Sequence, residues 1–139
     1  MESISRGQMR AGRICGALAA LFLIVDAIAK VLALDPVVKG TTELGYPESV
    51  VRGLGVVLLG SVVVYLVPRT AVLGAILLTG YLGGAVATHV RIGNPLASHV
   101  LFPVYVALLV WGALFLCDVR VRALVPLRGP SPNSGSHGR

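Results

Sequence analysis

Residues 57–86 read VLLGSVVVYLVPRTAVLGAILLTGYLGGAV, two apolar runs that together contain a single charged residue, Arg69. The Pro68-Arg69-Thr70 link between the runs is very short, so the two runs are predicted to form antiparallel neighbouring helices. Extended outward to residues 50–67 and 71–90, each run has about the 20 residues that an α-helix needs to cross the hydrocarbon core of a bilayer. The stretch therefore predicts a pair of transmembrane helices.

Two further apolar runs lie on either side of this pair. Of the 139 residues, 55% are hydrophobic and 13% are charged, whereas an ordinary soluble domain has about 25% charged residues. The sequence predicts an all-α membrane protein, a four-transmembrane-helix bundle that crosses the lipid bilayer several times. The four helices are expected at about residues 13–34, 50–67, 71–90 and 98–117. The first is expected to end near Asp35-Pro36, because Pro36 disfavours a helical conformation at the residue before it, and residues 35–46 are expected to form a loop.

We place this helical domain at residues 13–127, and the segments outside it are short. Residues 1–12 are predicted to form a basic N-terminal tail, and residues 128–139, rich in Pro, Gly and Ser, a disordered C-terminal tail. Eight Lys and Arg residues fall on the side of the two tails and three on the opposite side. The positive-inside rule therefore predicts that both termini are cytoplasmic.

The net charge of +6 does not indicate a nucleic-acid partner. The basic residues flank the apolar runs instead of forming a patch interleaved with aromatic residues, as a nucleic-acid surface would require. The two cysteines, Cys15 and Cys117, are far apart and form no C-x-x-C motif. No complete catalytic constellation is visible, so we predict no catalytic residues.

Polar side chains inside the predicted helices gather toward the ends opposite the tails. A charge in a membrane helix costs at least a few kcal/mol, so such residues are usually paired or functional. Asp26 and Lys30 are spaced i, i+4 with the acid first, which favours an ion pair, and Glu48 and Arg52 repeat this spacing. The candidate ligand-binding residues of this outer-half polar cluster are Asp26, Lys30, Glu48, Arg52, Thr88, His89, Arg91 and His99.

Two interpretations of this polar cluster remain open. The ion pairs could simply neutralise buried charge and fix the helices in the bundle, or the polar residues could contact a ligand. With two acids against three bases, the cluster suits an anionic or polar headgroup better than a cation. His89 and His99 could approach each other, but they do not form a sufficient ligand set, so no metal site is predicted.

Small residues form a stripe on the third predicted helix. Gly80 and Gly84 are four residues apart, and Thr88 follows at the same spacing. Such stripes let two membrane helices approach closely, so Gly80 and Gly84 are predicted to pack against a neighbouring helix.

Two segments, ILLTGYLGGAVATHVR at residues 76–91 and LFPVYVALLVWGALFL at residues 101–116, resemble the DoxX-like family of small bacterial integral membrane proteins. The first predicted helix with Asp26 and Lys30, and LGYPESV at residues 44–50, are similar to that family too. The resemblance implies a four-helix bundle in a bacterial cytoplasmic (inner) membrane. The family name comes from a subunit of a thiosulfate:quinone oxidoreductase, and some relatives are membrane partners of oxidoreductases. The resemblance implies no catalytic residue set.

Two functions compete at this point. The first is a non-enzymatic integral membrane subunit or scaffold without a cofactor, which would act through a protein partner or a homo-oligomer. The second is a quinone- or lipophilic small-molecule-binding subunit of a membrane oxidoreductase, because a polar cluster within an apolar bundle suits a lipophilic ligand with a polar head. A small transporter or channel is a third reading, and four helices would then need to oligomerise to make room for a pore.

Overall fold

A computed structural model of the chain describes residues 4–125, and all regular secondary structure in this range is helical. A 3-10 turn at Glu48–Val50 precedes the third α-helix, and a π-helical turn at Leu96–Val100 leads toward the fifth. The predicted C-terminal tail lies outside the described residues. The six α-helices of the described range are α1 (Arg6–Val31), α2 (Asp35–Glu43), α3 (Val51–Leu66), α4 (Ala71–Arg91), α5 (Phe102–Cys117) and α6 (Val119–Leu124).

Four helical segments are long and apolar enough to cross a bilayer, once the 3-10 and π turns are counted with the helices that follow them. These segments are Arg6–Val31, Glu48–Leu66, Ala71–Arg91 and Leu96–Cys117. The prediction of an all-α bundle with four membrane-spanning helices is confirmed. Large apolar side chains cover its outer surface, as contact with lipid requires; Leu21 and Val57, for example, are 62% and 59% exposed.

The four spanning helices form a ring. Helix α1 packs against α3 and α5, and α4 packs against the same two helices. Fully buried side chains from all four helices fill the centre of this ring, among them Leu23, Leu58, Leu78 and Val110.

Glycines set the closest contacts between these helices. A Cβ atom at Gly74 would lie 2.2 Å from the backbone nitrogen of Tyr65, and one at Gly55 would lie 2.7 Å from the backbone nitrogen of Val31. A Cβ atom at Gly80 or Gly84 would meet no atom of the described residues within 4 Å. Among residues 4–125 the predicted stripe therefore makes no close helix contact. The reason is that α4 turns Gly74, Leu78 and Leu82 toward the core, and residues two positions further along lie about 200° round the helix.

Helix α1 begins seven residues before its predicted start, within the segment predicted to be a tail. Ser5 and Gln8 form a capping box, in which the Ser5 hydroxyl accepts from the Gln8 backbone N–H at 3.2 Å and the Gln8 side chain accepts from the Ser5 N–H at 3.0 Å. These two bonds satisfy backbone donors that would otherwise be exposed at the helix start. The capping box explains why the arginine-bearing segment after it is helical.

Helix α2 occupies most of the segment after α1 that was expected to be a loop. Pro36 does not simply follow the end of α1; it lies in the first turn of α2, where its missing N–H is harmless. The chain turns between the two helices at Ala33, whose φ of 51° is left-handed. Helix α2 therefore covers one end of the ring, which we call the α2 end.

Polar contacts close the opposite end, which we call the basal end. The Tyr65 hydroxyl donates to the Val110 carbonyl at 3.1 Å, which joins α3 to α5 across the ring. The Cys117 thiol lies 3.7 Å from the Met9 carbonyl, so the start of α1 and the end of α5 share this end. The basal end is thus defined by the start of α1, the link between α3 and α4, and α6.

Candidate functional site

A cavity of about 730 Å³ lies at the α2 end. Helices α1, α4 and α5 supply most of its walls, α3 contributes Leu54, and α2 covers it. Its volume is in the usual range for small-molecule sites, about 300–1,000 Å³. Its apolar walls include Phe22, Leu23, Val37, Leu82, Phe102 and Val106.

An ion pair between Asp26 and Lys30 lines the α1 wall of this cavity. The Lys30 ammonium donates to the Asp26 carboxylate one helical turn away, as their spacing predicts. The Lys30 side chain is 14% exposed and that of Asp26 is 31% exposed, so neither charge is sealed inside the bundle. An ammonium carries three N–H donors, and this contact occupies one of them. Two donors of Lys30 are left for a molecule in the cavity.

A hydroxyl pair lies on the α4 wall. The Thr88 hydroxyl donates to the Gly84 carbonyl at 2.9 Å, and the Tyr46 hydroxyl lies 2.8 Å from the same Thr88 oxygen. A threonine hydroxyl has only one proton, so the Tyr46 hydroxyl donates to Thr88. This bond ties the segment that follows α2 to α4.

Arg91 reinforces the same connection from outside the cavity. Its Nη2 atom donates to the Leu44 carbonyl at 2.9 Å, just beyond the end of α2. Leu44 lines the cavity, but Arg91 does not. Arg91 thus holds the segment after α2 against α4, and its guanidinium is not part of the cavity wall.

His89 and His99 stand together at the cavity wall near the end of α4. Their ring centroids are 5.8 Å apart and the rings are inclined at 63°. Asn94 donates its amide N–H to His89 Nδ1 at 2.7 Å, and the Ser98 hydroxyl lies 2.7 Å from His99 Nδ1. Each ring therefore has only its Nε2 atom left for another partner. Residues 4–125 contain no group of three or more His, Cys, Asp or Glu side chains that could hold a metal ion.

Glu48 and Arg52 are not brought to the cavity, although their spacing matched that of the ion pair on α1. Both are exposed, and the Asp26–Lys30 contact is the one salt bridge found within the described range. Glu48 belongs to the 3-10 turn and Arg52 to α3, so the two residues do not share one regular α-helical face. Of the eight predicted residues, five line the cavity: Asp26, Lys30, Thr88, His89 and His99.

Several cavity residues were not among the eight residues of the predicted cluster. Tyr81 lines the α4 wall, and its hydroxyl makes no hydrogen bond to the described residues. Its spacing of seven from Thr88 places both on one helical face, which is a signal the sequence contained. Glu43 lines the cavity from α2. It could not be found because α2 itself was expected to be a loop.

These features define a multi-pass α-helical membrane protein with a cavity at one end of its bundle, whose mostly apolar walls carry a few polar groups. The chain belongs to the DoxX-like family, whose family model matches residues 14–113, from α1 to most of α5. The resemblance seen in the sequence is thereby confirmed. Comparison with curated proteins and with solved structures gives no match. Family membership supports a membrane protein and specifies no activity.

Proposed function

We propose that the protein is an integral membrane subunit that binds a lipophilic small molecule in the cavity at the α2 end. The observation that carries this proposal is the cavity itself, about 730 Å³ in volume, with mostly apolar walls and a few convergent polar groups. This combination is typical of small-molecule sites in helical bundles, where apolar walls hold the body of a ligand and polar groups fix its head.

The charges on the cavity wall indicate that the ligand has a neutral polar head with hydrogen-bonding groups. Two carboxylates, Asp26 and Glu43, line it against one ammonium, Lys30. Arg52 and Arg91, which made the predicted cluster suitable for an anion, do not line it. An anionic head would therefore meet uncompensated negative charge, and burying it there would be costly.

A quinone has the properties that this wall would accept. Its two carbonyl oxygens accept hydrogen bonds, and its ring and tail are apolar. Two hydrogen-bond donors on the cavity wall suit such a head: the Lys30 ammonium on α1 and the Tyr81 hydroxyl on α4. In this proposal the chain's own residues bind and orient the ligand, and electron transfer belongs to a partner oxidoreductase.

Ligand-dependent thermal stability tests this proposal. The full chain in lipid nanodiscs is heated with and without decylubiquinone, and the shift in unfolding temperature is recorded. Tyr81→Phe removes one hydroxyl and should weaken binding by several-fold to about tenfold, the value of one lost hydrogen bond. Arg52→Gln, outside the cavity, is the matched control and should behave as wild type. No shift in wild type, or an equal shift in Tyr81→Phe, contradicts the proposed quinone contact.

A scaffold is the second candidate function, and one specific surface favours it. Gly80, Gly83 and Ala87 share one exposed face of α4, and an added Cβ at either glycine would meet no atom within 4 Å in the part of the chain that the structure describes. A face of small residues allows a helix from another chain to approach closely. Disulfide cross-linking of Gly80→Cys in membranes tests this: a cross-linked dimer or a cross-linked second protein supports a scaffold, and a monomer counts against it.

We propose a bacterial cytoplasmic membrane location with both termini on the cytoplasmic side. The support is the concentration of arginine at the basal end, where both ends of the described chain lie. A reporter that is active only after export, fused at Leu127, should be inactive. Activity of that fusion would reverse the orientation and place the α2 end in the cytoplasm.

A further inference from the structure

The basal end and the α2 end differ sharply in charge. The α2 end carries four basic and four acidic residues, whereas the basal end has one acid, Asp118, within the described range. The contact between Met9 and Cys117 and the approach of Gly16 to Tyr65 show that three separate elements of the chain meet at the basal end. Together they bring six arginines there: Arg6, Arg10, Arg13, Arg69, Arg120 and Arg122.

Three of these arginines form a stripe on α1. Arg6, Arg10 and Arg13 are spaced by four and three residues, which places them on one face, and all three are exposed. Ile14, 60% exposed, follows directly and begins the lipid-facing apolar surface of α1. With 26 residues, α1 is about 39 Å long, which exceeds the roughly 30 Å hydrocarbon core. The first turns of α1 therefore project into the headgroup layer and carry the stripe with them.

Helix α6 adds an amphipathic segment at the same level. Val121 is buried, whereas Leu124 is 73% exposed and Arg120 is exposed on the same short helix. Exposed apolar and cationic side chains together are characteristic of helices that lie in a membrane interface. Arg122 is occupied differently, because its Nε atom donates to the Phe115 carbonyl at 2.7 Å. Arg120 is therefore the arginine of α6 that remains available to a partner.

We propose that the basal end is a binding surface for anionic phospholipid headgroups. Its contacts are Arg6, Arg10, Arg13, Arg69 and Arg120, whose guanidinium groups make no hydrogen bond or salt bridge to other residues in the part of the chain that the structure describes. Guanidinium groups bind phosphate in a bidentate manner, and an anionic leaflet attracts basic residues near its surface. The arginines are spread over three elements at headgroup depth, which suits a layer of lipids better than a single acidic protein or a nucleic acid.

The preference of the protein for anionic over zwitterionic lipids tests this proposal directly. The full chain is reconstituted in nanodiscs containing equal amounts of phosphatidylglycerol and phosphatidylcholine, and the lipids that remain bound are counted by native mass spectrometry. Each arginine near an anionic surface should favour the anionic lipid about fivefold. The triple variant Arg6→Gln, Arg10→Gln, Arg13→Gln should therefore lose on the order of a hundredfold in selectivity.

Two matched variants separate charge from a general effect of mutation. Changing the same three residues to Lys keeps the charge, so that variant should retain most of the selectivity. Lys39→Gln with Arg52→Gln removes two charges at the α2 end and should leave selectivity unchanged. Equal binding of both lipids by wild type would overturn the proposal, as would unchanged selectivity in the triple Gln variant. Binding of soluble heparin without any lipid selectivity would instead assign the basal end to a macromolecular polyanion.

Discussion

A single methyl group at Gly74 should separate α3 from α4, and the structure allows the size of the effect to be worked out. The Cβ of Gly74→Ala would lie 2.2 Å from the Tyr65 nitrogen and 2.3 Å from its Cα, whereas ordinary contacts begin at 3.4 Å. The shortfall of about 1.2 Å is against backbone atoms, so no side-chain rotation can relieve it.

The corner between the two helices prevents a simple outward shift. The Thr70 hydroxyl donates to the Val64 carbonyl at 2.8 Å, and the Gly74 N–H donates to the Thr70 carbonyl at 2.9 Å. Separating the helices would strain these bonds together with the packing. We therefore expect Gly74→Ala to lower the free energy of unfolding by about 3 kcal/mol, the upper part of the range for overpacked sites.

Gly80→Ala is the matched control, because it makes the same chemical change in the same helix. Its Cβ would meet no atom of residues 4–125 within 4 Å, and Ala is favoured over Gly in a helix by about 0.8–1.0 kcal/mol. This variant should be neutral or slightly more stable than wild type. Reversible unfolding in mixed micelles with increasing dodecyl sulfate measures both free energies. If the two variants differ by less than about 0.5 kcal/mol, the close contact at Gly74 does not limit packing.

Three further predictions concern the cavity. Asp26→Ala should destabilise the protein by about 2 kcal/mol, less than a fully buried pair would lose, and the double change with Lys30→Ala should cost less than the sum of the single changes; a double-mutant cycle checks this, and simple additivity would show that the pair does not interact. Gly84→Leu should leave unfolding nearly unchanged, because the side chain enters the cavity, but should abolish the decylubiquinone-dependent stabilisation; a large loss of stability would show that Gly84 is a packing residue after all. Tyr46→Phe removes the bond to Thr88, worth about 1 kcal/mol, so amide hydrogen exchange should accelerate in α2 and stay constant in α6.

The spanning helices could be predicted from the sequence because hydropathy is a local property. Runs of apolar residues can be found without knowing what they contact, and the turn at Pro68 follows in the same way. Helix α2 was missed because Asp35-Pro36 and the glycines that follow are typical of turns as well as of a short helix. Only the packing of this segment across the end of the ring distinguishes a short helix from a turn, and such packing depends on residues distant in the sequence.

In the candidate site, too, contacts within one helix could be predicted and contacts between distant segments could not. The Asp26–Lys30 pair was predictable because both residues lie on one helix at a fixed spacing. The bond between Tyr46 and Thr88 joins residues 42 positions apart, and no spacing rule relates them. Arg91 was assigned to the cluster from its place in the sequence, but its guanidinium reaches the Leu44 carbonyl instead of the cavity. Side-chain direction at a helix end depends on which neighbour arrives there, and that is decided by the assembled bundle.

The hydrogen bond that the Tyr65 hydroxyl makes across the ring bears on whether ions and water can pass through the bundle. Its bond to the Val110 carbonyl joins α3 to α5 beside the packed centre of the ring, where Leu23, Leu58 and Leu78 are fully buried. Ions and water need a continuous polar path to pass a membrane, and this packed centre interrupts any such path in a single copy. We therefore expect a single copy to bind and release any ligand of this cavity at the α2 end.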